Sequence, residues 1–106
     1  MLNITVRTDG GEQHAQPSAE ELTDLIRRIG GRGGHFLVVL RAPELPHIFV
    51  QVWHEDGGAY TLEHRDGDTY ATTELGDVSA VIDAMTRWAR QETDWDAGLL
   101  WTPLEV

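Results

Sequence analysis

Between residues 47 and 64 the chain reads HIFVQVWHEDGGAYTLEH, which places His47, His54 and His64 with Glu55, Asp56 and Glu63 around the Gly57–Gly58 pair. Imidazole and carboxylate are the groups that hold divalent metals and that carry protons in acid–base catalysis near neutral pH. A zinc site brings its donors to about 2 Å from one ion. His47 and His54 stand about 23 Å apart on an extended strand and face opposite ways, because strand side chains alternate. His54 near the turn and His64 near the far end are again about 20 Å apart. His64 and Glu63, as neighbours, also point to opposite faces. Only His14 or His35, arriving from another element, could complete a ligand set. The histidines therefore read as polar strand ends, with pH sensitivity as the property they would confer.

Other catalytic constellations are thinner still. Ser18 and Ser79, the only serines, fall at helix starts, where capping explains them. No G-x-S-x-G is present. The carboxylate pairs Glu55/Asp56, Asp66/Asp68 and Asp94/Asp96 fall in turns or frayed ends, where a hydrated acid gains little catalytic use. "RDGD" at 65–68 faintly resembles a calcium loop but lacks the downstream glutamate at its required spacing. "GGRGG" at 30–34 follows a helix and leads into a strand, the reverse of a phosphate cradle. No catalytic residue, metal ligand or cofactor is nominated.

Composition excludes more. The chain has 106 residues, no cysteine, and eighteen acidic against eight basic residues, a net charge of −10. Every basic residue is arginine. Without lysine there is no Schiff-base chemistry and no Walker-type loop, and without cysteine no disulfide or thiolate site. So acidic a surface repels a phosphate backbone, which argues against nucleic acid, and it attracts a basic protein. The first residues show no secretion signal, and no apolar run reaches the roughly 18 residues a membrane span needs. The expectation is one soluble, cytoplasmic domain over 1–106, with no membrane partner.

The elements follow from periodicity. Leu2, Ile4 and Val6 alternate with polar residues as in a half-buried strand, and "TDGGEQ" makes a turn. "SAEE" from Ser18 forms a capping box, followed by Leu22, Leu25, Ile26 and Ile29 at helical spacing, with Gly30 placed to end the helix. "HFLVVLRA" is apolar at both parities, as a central strand is, and "PELP" breaks it. A hairpin comes next, then the "RDGD" turn into Thr69–Leu75. Asp77 caps a second helix with the stripe Val78, Val81, Ile82, Met85, Trp88 and Ala89, which frays through "QETDWD". "GLLWTPLEV" closes as a short edge strand. The order β-α-β-β-β-β-α-β implies an α+β single-domain sandwich, with an antiparallel-rich sheet of about five or six strands and both helices on one face.

Register settles what the hairpin presents. An even loop would mix Ile48, Val50 and Val52 with Thr61, Glu63 and Arg65, core with charge. An odd loop, for example Glu55-Asp56-Gly57 with a G1 bulge, pairs them with Tyr60 and Leu62 instead. Phe49, Gln51 and Trp53 then share the opposite face with Thr61, Glu63 and Arg65. We expect Leu37 and Val39 to join them there. An exposed apolar patch rimmed by polar groups marks a binding surface, and Trp and Arg are enriched among interface anchors. Phe49, Gln51, Trp53, Glu55, Asp56, Glu63 and Arg65 are the candidate binding residues. The alternative is that the terminal segment, with Trp95 and Trp101, folds over the patch and makes it core.

The strand Leu2–Arg7, the capped helix with Leu22, Leu25 and Ile26, the four antiparallel strands, the second helix and the closing strand with Trp101 together resemble the small cytosolic immunity proteins of actinobacterial polymorphic-toxin systems and related uncharacterised actinobacterial proteins. The arginine-only basic complement suits a high-GC genome. The resemblance spans nearly the whole chain and lies in pattern and order. It implies a non-enzymatic, acidic protein-binding module that neutralises a toxin. Two alternatives stay open: a small enzyme or ligand-binding domain with a pocket between sheet and helices, using His64, Tyr60 or His54, and a structural homodimer.

Overall fold

The computed structural model describes residues 2–29, 35–41, 47–55 and 58–104. Seven strands form one sheet in the order β2-β1-β3-β4-β5-β6-β7, with every pairing antiparallel. In chain order these are β1 (Ile4–Thr8), β2 (Gln13–Ala15), α1 (Ala19–Arg28), β3 (Phe36–Arg41), β4 (Ile48–His54), β5 (Tyr60–Asp66), β6 (Thr69–Leu75), α2 (Val78–Ala89) and β7 (Thr102–Pro103). The α+β class and the order of the main elements are as expected, and the sheet is wider than expected because of β2. "TDGGEQ" does more than turn. Gly11 adopts φ +87, which a residue without Cβ takes freely, and the chain folds back to pair Gln13–Ala15 with Thr5–Arg7. Three polar-leaning residues carry no alternation by which a strand could be recognised.

Both helices start on their side-chain caps. Ser18 Oγ accepts the Glu21 amide at 3.1 Å, while the Glu21 carboxylate receives the Ser18 hydroxyl at 3.4 Å, so the expected capping box closes only in its first half. Asp77 Oδ1 accepts the Ser79 amide at 3.0 Å. Helix α1 ends at its C-cap Ile29; Gly30 and the glycine-rich stretch after it lie outside the described residues, as does "PELP". Helix α2 stops at Arg90, and the acidic stretch beyond it runs through turns.

One core holds the molecule together. Leu22, Leu25 and Ile26 of α1 and Val81, Ala84, Met85, Trp88 and Ala89 of α2 pack on Ile4, Val6, Leu37, Val39, Val50, Val52 and Leu62 of the sheet. These strand residues share a parity, linked through the pairs Val6↔Val39, Val39↔Val50 and Val52↔Leu62, so both helices cover the same face. Leu37 and Val39 are therefore core, not members of the outward patch. The residues of β3 that point outward are Phe36, Val38 and Leu40, which pair with Trp53, Gln51 and Phe49.

Candidate functional site

The site is built by strand register. His54 pairs with Tyr60, which puts five residues in the β4–β5 loop, an odd number, so the faces fall as the sequence implies. The loop is two residues longer than the expected Glu55-Asp56-Gly57 turn. At the other end Asp66 pairs with Thr69 around Gly67, whose φ of +63 suits a tight two-residue hairpin. Across the outward face of β4, β5 and β6, the rows run Phe49–Arg65–Tyr70, Gln51–Glu63–Thr72 and Trp53–Thr61–Glu74.

Five of the candidate binding residues, Phe49, Gln51, Trp53, Glu63 and Arg65, thus lie together on the open face. Glu55 is exposed at the start of the loop, where its carbonyl accepts the Gly58 amide at 2.9 Å. Asp56 lies outside the described residues. Phe36, Val38, Tyr70 and Glu74 belong to the face as well, and only a complete register could have found them.

Burial on this face is graded. Thr5 and Leu40 at one corner are 7% and 8% exposed, Phe49 is half-buried, and Trp53 at the opposite corner is 43% exposed. The Trp53 indole meets the His35 ring at 5.7 Å between centroids. Phe49 and Tyr70 make an edge-on pair at 6.4 Å. Beside Trp53, a shallow depression of about 390 Å³ is lined by Phe36, Gln51, Trp53, Thr61 and Glu63. A second, of about 560 Å³, continues along the face over Thr72 and Glu74 to Leu100, which is 89% exposed.

A half-buried carboxylate stands at the centre. Glu63 Oε2 accepts Gln51 Nε2 at 2.6 Å and the Tyr70 hydroxyl at 3.1 Å. Burial pushes the Tyr70 phenol above its ordinary pKa, and the adjoining Glu63 charge and hydrogen bond act in the same direction. Arg65, on the same face, donates Nε to the Gly67 carbonyl at 3.1 Å.

The terminal segment covers the other side. Trp95 and Trp101 meet edge-on at 5.5 Å and both stand perpendicular to the His64 ring, at 5.0 and 4.6 Å. His64 pairs with Val50 and so belongs to the helix face. The tryptophans accordingly seal the core around His64, while on the outward face the area around Trp53 stays open and the Thr5–Leu40 corner is buried. His54 stacks flat on Tyr60 at 3.8 Å with its Nδ1 buried and unpartnered among the described residues, and nothing in the structure explains that nitrogen. His14 donates to Glu12 at 3.0 Å, and Arg28 donates to the same carboxylate at 2.9 Å. Those two bonds, with the Arg28 charge, hold Glu12 below the ordinary carboxylate pKa. Among the described residues no three His, Cys, Asp or Glu side chains gather to hold a metal, and no helix is long and apolar enough to cross a membrane.

His64 gives the fold a pH dependence from the helix side. Burial lowers its pKa below the ordinary value of about 6.5, against the opposing pull of Asp96 and Asp66. The unfolded chain then binds the proton more readily, so His64 supports the fold above about pH 6.5 and withdraws that support as pH falls through its lowered pKa. Thermal melts at pH 7.5 and pH 5 should show a larger loss for the natural chain than for His64→Phe. Equal losses would place the pH response in the carboxylates alone.

Comparison with protein-family models, with curated proteins and with solved structures finds no match to this chain.

Proposed function

We propose that the protein is a non-enzymatic binding module that docks a basic protein on the open face of its sheet, in the manner of a toxin-neutralising immunity protein. The observation that carries the reading is the open part of this face, with exposed Trp53 and half-buried Phe36, Phe49 and Tyr70 beside Glu63 and Glu74. An aromatic patch with acidic groups, on a chain of charge −10, complements a basic surface. The same charge opposes pairing of two copies through this face at low salt, because like surfaces repel. His54, Tyr60 and His64, the residues of the enzymatic alternative, lie on the helix side, where that alternative places its pocket, and take no part in the two depressions of the open face.

The test is calorimetric titration with the purified product of the adjacent gene, run at low and moderate salt. Binding should weaken as salt rises. Trp53→Ala should weaken it about thirtyfold, as loss of an interface anchor does, with the far-ultraviolet spectrum unchanged. Absence of binding by the natural chain, or a Trp53→Ala variant that binds normally, would reject the reading. Sedimentation of the protein alone separates the remaining possibility, since a dimer abolished by Trp53→Ala would make a second copy the occupant.

A further inference from the structure

We propose that Glu63 is the cation-recognising anchor of the open face, receiving an arginine guanidinium of the basic partner in the depression beside Trp53. The inference rests on the docking reading above and adds the chemistry of its centre.

Glu63 stands in the middle of β5, half-buried, with Trp53 and Phe49 on the neighbouring strand either side of its own partner Gln51. A carboxylate placed there loses hydration, and a strand gains nothing from an acidic side chain unless something compensates it. Two neutral donors compensate it in part, and both fall on Oε2. Arg28, Arg41, Arg65 and Arg87 direct their guanidinium groups to other acceptors. Arg65, the nearest cation along the strand, donates instead to the Gly67 carbonyl, and its guanidinium carbon lies 6.0 Å from the Tyr70 ring centre. The result is a carboxylate fixed through Oε2 by two neutral donors.

The surroundings select the cation. Trp53, Phe36 and Thr61 line the same depression, of about 390 Å³, room enough for a long side chain. A guanidinium is planar and weakly hydrated, so it stacks on an indole while donating to a carboxylate. A lysine ammonium is strongly hydrated and gains less from the aromatic wall. Gln51 and Tyr70 act as positioning residues, holding the acceptor before the partner arrives and lowering the ordering cost of binding.

The experiment is a nitrogen-15 NMR titration of the full chain with a short unstructured peptide that alternates arginine with leucine, and with its citrulline counterpart. The proteins are the natural chain, Glu63→Gln, which keeps an oxygen for Gln51 and Tyr70, and Glu20→Gln, which removes the same charge from α1. The arginine peptide should shift the Trp53 indole and the Phe36, Thr61 and Glu63 amides saturably. Affinity should fall about tenfold in Glu63→Gln, the loss expected for one charge-assisted bond, and change little in Glu20→Gln. The citrulline peptide should not saturate. Open-face shifts with undiminished affinity in Glu63→Gln would overturn the role of Glu63 and leave the docking face standing. Shifts confined to other acidic surfaces, or none, would overturn the docking reading together with it.

Discussion

Leu62→Arg should leave the protein unfolded at room temperature, whereas Thr61→Arg, one position earlier on β5, should move its stability by no more than about 0.5 kcal/mol. Leu62 is fully buried between Val52 and Thr73 under the helices. Removing a buried leucine costs about 2–5 kcal/mol, and an unpaired charge left in its place costs several more. A small domain has only about 5–15 kcal/mol to lose. Thr61 lies between Trp53 and Glu74 on the outward face, where an arginine finds an indole and a carboxylate in neighbouring rows. Circular dichroism and urea titration of the two variants make the comparison. A folded Leu62→Arg protein would mean that the two faces have been assigned the wrong way round.

Trp88→Ala should cost about 3–5 kcal/mol. The indole is 4% exposed and lies where α2 meets the end of β3. The Arg41 guanidinium sits 3.7 Å from the centre of the ring, and its Nη1 donates to the Trp88 carbonyl at 2.8 Å. Alanine keeps that carbonyl but removes both the packed volume and the aromatic face beneath the cation. Arg41 would then stand over a hole. A double-mutant cycle with Arg41→Met should show about 0.5–2 kcal/mol of coupling, the range for a partly desolvated cation over an aromatic ring. A midpoint shift in urea worth less than about 1 kcal/mol for Trp88→Ala would show that the helix is held by other contacts.

The sequence made some of this legible and hid the rest for identifiable reasons. Alternation in β4 and β5 allowed only an odd loop, and that one parity argument correctly placed Phe49, Gln51, Trp53, Glu63 and Arg65 on a common face. The same argument was powerless for β3. A strand apolar at both parities does not say which set faces the helices: pattern alone puts Leu37 and Val39 outside, whereas the structure puts Phe36, Val38 and Leu40 there. Parity there is inherited from β4 through the pair Val39↔Val50. The tryptophans of the terminal segment could have covered either side of the sheet. Their choice is made by His64, whose ring receives both from the helix side. Hydrogen bonds between side chains three strands wide, such as those of Gln51 and Tyr70 on Glu63, require the whole register before they can be seen.

The two outermost strands have a consequence for behaviour at high concentration. β2 runs for three residues and β7 for two, one of them Pro103, which has no amide hydrogen to offer. A fibril grows when a long bare strand of one molecule templates that of the next, and neither margin supplies such a template. Crowded solutions should therefore cloud, when they do, by reversible flat stacking that salt promotes and dilution undoes. Thioflavin-positive ribbons should be absent as long as the domain stays folded.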